Sequence, residues 1–452
     1  MMKKFLKIGW IGIFVFTLSA CQKYLEVQSN YGLAVPKSLD DLQKLLDDSQ
    51  MMNLKFPSFG EASADNYYLS QSIYDALIDY GQQTYIWQNY HMNYGNDWSS
   101  SYNTVYNSNL VLDRIKKINR NESNANQYDA IYASAKFYRA SQYLALLWTY
   151  SKAYTQESKT DMGIVLRNSS DFHEPSYRSS IGECYEKVIT DLKECIDILP
   201  EKTSHVMRPN KYAAYAMLGR AYLSIQVYDS AYYYVDLALK YNAELLDFNN
   251  LSEVKMTASY PFTLFNKETL FYAELLVNIN LTSSRALTDT LLYRSYESND
   301  LRRSAYFKVA ANGTTTFKGS YAGSSKMFSG IATDELYLMR AECSVRMGDI
   351  DSGMADLNYL LRYRYKVGTF VPYVIKDKTE ALALILKERR KELLYRGLRW
   401  MDLKRLNAEG RGISIARKLN GQLITLQPNS NAYALPLPED IIRLTGMQQN
   451  PK

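Results

Sequence analysis

The sequence predicts a mostly α-helical protein, a tetratricopeptide-like scaffold of helix pairs interrupted by long irregular insertions. Apolar residues recur at three- and four-residue spacing over most of the 452-residue chain, the period of a helix with one buried face. Two stretches repeat the same alternation of small and bulky positions. Long polar segments with neither helical nor strand period separate the helical ones.

At the start of the chain, Lys3, Lys4 and Lys7 precede an apolar run, Ile8 to Leu18, which leads into Ser19, Ala20 and Cys21. A basic start, a short apolar core and small residues before a cleavage point make residues 1–20 a secretory signal. The run is shorter than the roughly 18 to 20 residues that span a bilayer. Leu18-Ser19-Ala20-Cys21 is similar to a lipobox, so Cys21 is the expected acylation site. Each buried acyl CH₂ contributes roughly 0.8 kcal/mol, and several chains on Cys21 hold the mature protein on a membrane through this anchor.

Without residues 1–20 the 53 basic side chains lose three lysines, leaving 50 against 47 acidic ones. That balance argues against a nucleic-acid binder, which concentrates basic residues on one face. Past Cys21 only Cys184, Cys195 and Cys343 remain, an odd number that predicts no disulfide framework. A chain this long buries enough core without one.

Ser38 caps the first clear helix, whose apolar stripe is Leu39, Leu42, Leu45 and Leu46. Helices follow over Asp97 to Ile118, Tyr128 to Tyr150, Ile181 to Leu199, Lys211 to Ile225 and Asp229 to Tyr241. Three more cover Thr333 to Met347, Ile350 to Tyr363 and Thr379 to Leu406. The expected organisation is a single domain over residues 21–452, with a helical scaffold at roughly 97–259 and 332–406. Irregular insertions occupy roughly 51–96, 260–331 and 407–452.

A 34-residue tetratricopeptide register fits from Tyr212, with Tyr215, Leu218, Gly219 and Tyr222 on one helix and Ala231, Val235 and Ala238 on the next. The small residues let two helices approach while the bulky ones fill the space between them. A second unit begins near Asp334, with Ala341 and Gly353 in the small positions, Leu357 and Leu360 in the packing ones, and a left-handed turn expected at Gly348. A third is split: Ala135, Arg139, Ala140 and Tyr143 form its first helix, and Val188, Leu192 and Cys195 its second, after an insertion.

Forty tyrosines stand beside 15 phenylalanines and 5 tryptophans. A tyrosine offers an apolar face and a polar edge, suited to half-buried packing and to contact with sugar rings or peptides. Most are assigned to packing between helices.

The stretch Lys387 to Arg405, KERRKELLYRGLRWMDLKR, is very similar to the C-terminal signature of the SusD/RagB family. Trp98 to Leu112, Ala135 to Tyr150 and Glu335 to Glu342 resemble its other helices in order, and Tyr24-Leu25-Glu26-Val27 its start. Tyr433 to Glu439 and Gln449-Asn450-Pro451 resemble its closing segments, although Leu437 stands where isoleucine is usual. Read from its residues alone, the signature is a charged structural helix. Glu388 and Glu392 lie one turn apart, within expected reach of Arg340, Arg390 or Arg396, and Trp400 covers an apolar face.

The resemblance implies a lipid-anchored outer-membrane protein at the cell surface that captures oligosaccharide and delivers it to a partner SusC-like TonB-dependent transporter, without catalysis or cofactor. Oligopeptide capture of the RagB kind is the alternative. A surface glycosidase needs two carboxylates at a set separation, and no pattern singles out a pair. Metal chemistry has little support, since His91, His173 and His205 share no ligand spacing. Gly-x-Ser-x-Gly is absent. A tetratricopeptide adaptor is the remaining rival. The ligand side is expected on the irregular segments, where recognition residues usually lie. Trp87, Tyr90, Tyr293 and Tyr296 are the candidate stacking surfaces, Asn66 and Arg294 candidate hydrogen-bond partners, and the Asn312 to Gly330 stretch with Tyr321 a neighbouring loop.

Overall fold

The computed structural model describes residues 36–92 and 95–451. The expectations for the signal, Cys21 and Tyr24 to Val27 lie outside the described residues. Helix α1 (Leu39–Leu46) opens with a capping box, Ser38 and Asp41 each accepting a backbone N–H from the other's turn, and buries Leu39, Leu42 and Leu46.

The scaffold is a stack of helices in which each packs on the next: α2 (Asp97–Ile115), α3 (Ala125–Tyr150), α4 (Ile181–Ile196), α5 (Lys211–Ser224), α6 (Tyr228–Tyr241), α7 (Thr333–Met347) and α8 (Ile350–Arg362). Small residues set its spacing. A Cβ built on Gly219 would lie 2.5 Å from Val235 Cγ2, and one on Gly353 would lie 2.7 Å from the Ala341 carbonyl oxygen. These are the small positions that the repeat pattern predicts. Gly348 joins α7 to α8 at φ +101°, the left-handed conformation expected there. The split unit is closed by Arg139 of α3, whose guanidinium donates to both carboxylate oxygens of Asp191 on α4 at 2.9 Å.

The last predicted helix, Thr379 to Leu406, is two: α9 (Lys378–Glu392) and α10 (Arg399–Ala408). Tyr395 (φ +56°) and Gly397 (φ +76°) sit between them in the left-handed region, which a right-handed helix cannot pass through.

The insertions are more ordered than their lack of periodicity predicts. In the second, β1 (Phe307–Val309) pairs antiparallel with β2 (Thr315–Phe317) around Asn312-Gly313. In the third, β3 (Ile415–Leu419) pairs with β4 (Gln422–Leu426) around Asn420-Gly421, both residues at positive φ. Asn420-Gly421 is the favoured two-residue hairpin turn, because both its positions tolerate φ above zero, whereas the loop of the first hairpin is longer and only its Gly313 has positive φ.

Buried ion pairs fasten the second insertion to the scaffold. Arg302 reaches Asp300 at 2.7 Å, Glu388 at 2.5 Å and Glu392 at 3.0 Å. Glu392 continues to Arg364, which reaches Glu268 at 2.8 Å. The partners of Glu388 and Glu392 are therefore Arg302, Lys391 and Arg364 in place of the expected arginines. Arg340 is held by Asp236 and Asp356, Arg390 by Asp65, and Arg396 by Asp334. The signature helix is a packed, ion-paired element, as its sequence implies.

Candidate ligand-binding cleft

A cleft of about 410 Å³ opens where the second insertion meets the α9–α10 turn. The hairpin supplies one wall, its register setting Lys308 opposite Thr316 and Phe307 opposite Phe317. After the hairpin the chain turns at Gly319, where a Cβ would come within 2.8 Å of Tyr306 Cα, so only glycine passes there. Ser320 Oγ then accepts the N–H groups of Ala322 and Phe328, at 3.2 and 3.1 Å, closing the loop that carries Ser324, Ser325 and Lys326. Lys318 Nζ donates to the carbonyls of Met256 (2.7 Å) and Ala258 (3.1 Å), fixing the segment that presents Tyr260. Burial lowers the Lys318 pKa from its ordinary value.

Tyr395 forms part of the floor. Its left-handed backbone is a strained choice for a bulky residue and costs about 1–3 kcal/mol. Its neighbours hold it there. Arg396 turns inward to Asp334 (2.6 Å) and lies over the Tyr321 ring, while the Gly397 N–H donates to Glu61 at 3.0 Å. Burial pushes the Glu61 carboxyl up to about 7, despite the hydrogen bonds from Asn66 and Gly397. Phe317 braces the Tyr395 ring at a centroid distance of 4.7 Å. Tyr260, 45% exposed, offers the freest aromatic surface in the lining.

None of the seven ligand contacts expected from the sequence lines this cleft. Asn66 is buried and donates to Glu61. Trp87 is buried with its ring nitrogen donating to the Ser63 carbonyl, and Arg417 lies over it as well as over Tyr67 and Tyr85. Tyr90 is buried and stacked on Phe59 at 5.1 Å. Tyr296 donates to the Lys391 carbonyl, and Tyr321 to Glu268, both from buried positions. Tyr293, half-buried, meets Phe307 edge-on with Arg303 over its ring, and Arg294 is exposed beside it. The Asn312 to Gly330 stretch does reach the cleft, through Thr316 to Ser320 and Ser324 to Met327, while its tyrosine faces the core.

Two further clefts of about 400 Å³ have different linings. One runs past Arg390 and Arg399, with no aromatic ring in its wall; the other lies around His205 and Phe265, with neither lysine nor arginine.

A family model described as "Starch-binding associating with outer membrane" matches residues 23–223, and the SusD family model matches residues 305–452. The chain belongs to the SusD/RagB family. A curated relative, SusD-like protein P2 of Formosa agariphila, is 23% identical over 428 residues, covering 78% of this chain and 79% of the relative. Among solved structures, a SusD superfamily protein of Bacteroides thetaiotaomicron superposes with a TM-score of 0.74 at 20% identity, covering 92% of this chain and all of that one. A SusD superfamily protein of Bacteroides vulgatus gives 0.75 at 19% identity, with 92% and 99% coverage. A SusD-like carbohydrate-binding protein of the same species gives 0.64 at 18%, with 91% and 97% coverage. At these identities the likeness establishes the fold.

In this SusD-family chain the signature therefore serves the cleft indirectly. Its Tyr395-Arg396-Gly397 turn places one ring in the floor and anchors the turn through the two residues that follow. Sequence reasoning passed over Tyr395, Phe317, Tyr260 and the cleft lysines. Asn312-Gly313, between two short β-prone runs, was the available signal for the hairpin that carries Phe317.

Proposed function

We propose that this protein captures oligosaccharide at the outer-membrane surface and passes it to a SusC-like TonB-dependent transporter, without chemical change to the ligand. The observation that carries this reading is the lining of the cleft. Tyr260 and Phe317 supply apolar faces, with the buried Tyr395 beneath Phe317, and Ser259, Ser283, Ser324, Ser325, Thr257 and Thr316 supply hydroxyls, with no aspartate or glutamate in the wall. Aromatic faces and hydroxyls suit a sugar's apolar ring faces and its polar edge. Glycoside hydrolysis needs a carboxylic acid and a second carboxylate across the bond, which this wall does not supply.

Residues 21–452 act here as one working unit, tethered through Cys21. No helix among the described residues is long and apolar enough to cross a membrane. Co-purification tests the partner: tagged protein expressed in its native cell brings down a TonB-dependent transporter. Recovery of the protein without one, from gently solubilised membranes, contradicts the delivery step.

A further inference from the structure

We infer that the cleft selects an acidic oligosaccharide, one bearing carboxylate or sulfate groups, over a neutral one. The inference rests on the capture reading above and names its ligand class. Lys308, Lys318 and Lys326 all line the cleft, and no carboxylate lines it. Lys308 and Lys326 are exposed, and neither forms an ion pair with any carboxylate among the described residues. Four buried arginines elsewhere, Arg302, Arg364, Arg396 and Arg405, each meet a carboxylate within 3 Å and have no charge left for a ligand.

The three lysines come from different parts of the wall. Lys308 stands on β1, Lys318 follows β2, and Lys326 lies on the loop beyond. Two of the three ammonium hydrogens of Lys318 go to carbonyls, so its charge stays in the cleft with only one donor to spare. That leaves Lys308 and Lys326 to donate to an arriving anion, in charge-assisted bonds roughly twice as strong as neutral ones. Lysine is a point charge without the planar fork of arginine, so the pair does not discriminate by itself between carboxylate and sulfate. The aromatic and hydroxyl lining favours a sugar carrying the charge over an acidic peptide.

Titration calorimetry on the mature protein tests this with five probes of similar length: a neutral malto-oligosaccharide, a neutral galacto-oligosaccharide, an oligogalacturonate, a sulfated galactan oligosaccharide and oligoglutamate. The expected result is that at least one of the two acidic glycans binds about tenfold or more tighter than either neutral one. That margin falls as salt shortens the Debye length from about 10 Å towards 3 Å, and it falls to threefold or less in the Lys308→Gln/Lys326→Gln double variant. Which acidic glycan wins separates uronate from sulfate. If neutral glycans bind as well as acidic ones and Phe317→Ala weakens them, the capture reading stands and the acidic preference is overturned. Tightest binding to oligoglutamate overturns the glycan assignment. If no glycan binds, both fall together.

Discussion

Phe317 and Tyr395, 78 residues apart in sequence, lie with ring centroids 4.7 Å apart and planes inclined at 36°. One ring comes from a hairpin in an insertion and the other from a strained turn between two scaffold helices, and their contact joins the two at the floor of the cleft.

Removing the exposed Tyr260 ring or the half-buried Phe317 ring of the cleft is expected to weaken glycan binding. Phe317→Ala and Tyr260→Ala each lose one face, roughly 1–2 kcal/mol or about tenfold in affinity. Trp87→Ala and Tyr296→Ala are expected to lower thermal stability, since both rings are buried among protein partners. Calorimetry and melting on the same preparations check this. Loss of affinity in a fully stable Trp87→Ala protein would move the site back to where the sequence placed it.

The helix stack depends on residues too small to clash. At Gly353 a methyl group would meet both the Ala341 carbonyl and Val345 Cγ2, the latter at 2.6 Å. Gly353→Ala, and Gly219→Leu against Val235, are expected to cost about 1–3 kcal/mol as α7–α8 and α5–α6 are forced apart. Chemical denaturation measures it; unchanged midpoints in both variants would mean the close approaches are not there.

These glycines show how much was legible. Helical period and small-residue spacing follow from one chain's own packing, so the stack, the Gly348 turn and the small positions could be read directly. Aromatic residues carry no such mark. Trp87 and Tyr296 look like stacking surfaces in sequence, but Arg417 and the α9 backbone, hundreds or tens of residues away, claim them. The partners of Glu388 and Glu392 were misread for the same reason, because Arg302 and Arg364 arrive from outside the helix. The break at Tyr395 ran against propensity and was held by Asp334 and Glu61, which local sequence does not show.

Arg302 is wholly buried among three carboxylates, and it ties the second insertion to α9. Arg302→Ala leaves Asp300, Glu388 and Glu392 without that partner and is expected to cost about 3–5 kcal/mol. Urea unfolding reads the loss. A change below about 1 kcal/mol would show that the buried charges do not hold the insertion in place.

Burial raises the Asp97 carboxyl from its ordinary 3.8 to about 7, although Ser58 and Phe59 donate N–H groups to it. The folded state then holds this proton more tightly than the unfolded state. The stability it contributes is complete below pH 3.8 and is lost as pH rises towards 7. Glu61 behaves alike between 4.5 and about 7. Glu342, which Arg405 holds at about 2 against its own burial, titrates below that window. Melting temperature is therefore expected to fall from pH 4.5 to 7, with a shallower fall in Asp97→Asn. Equal slopes in parent and variant would contradict this.

The anchor is tested at Cys21. Cells fed a labelled fatty acid are expected to label the parent and not Cys21→Ser, which should stay unprocessed or be released. Equal incorporation in both would remove the lipoprotein reading.

Capture without turnover is tested by titration calorimetry of the mature protein with a panel of glycans and peptides, followed by product analysis of the same mixtures. Saturable binding of a glycan is expected, abolished or weakened about tenfold by Phe317→Ala, with the ligand recovered intact. Cleaved products that grow in proportion to protein concentration would contradict it.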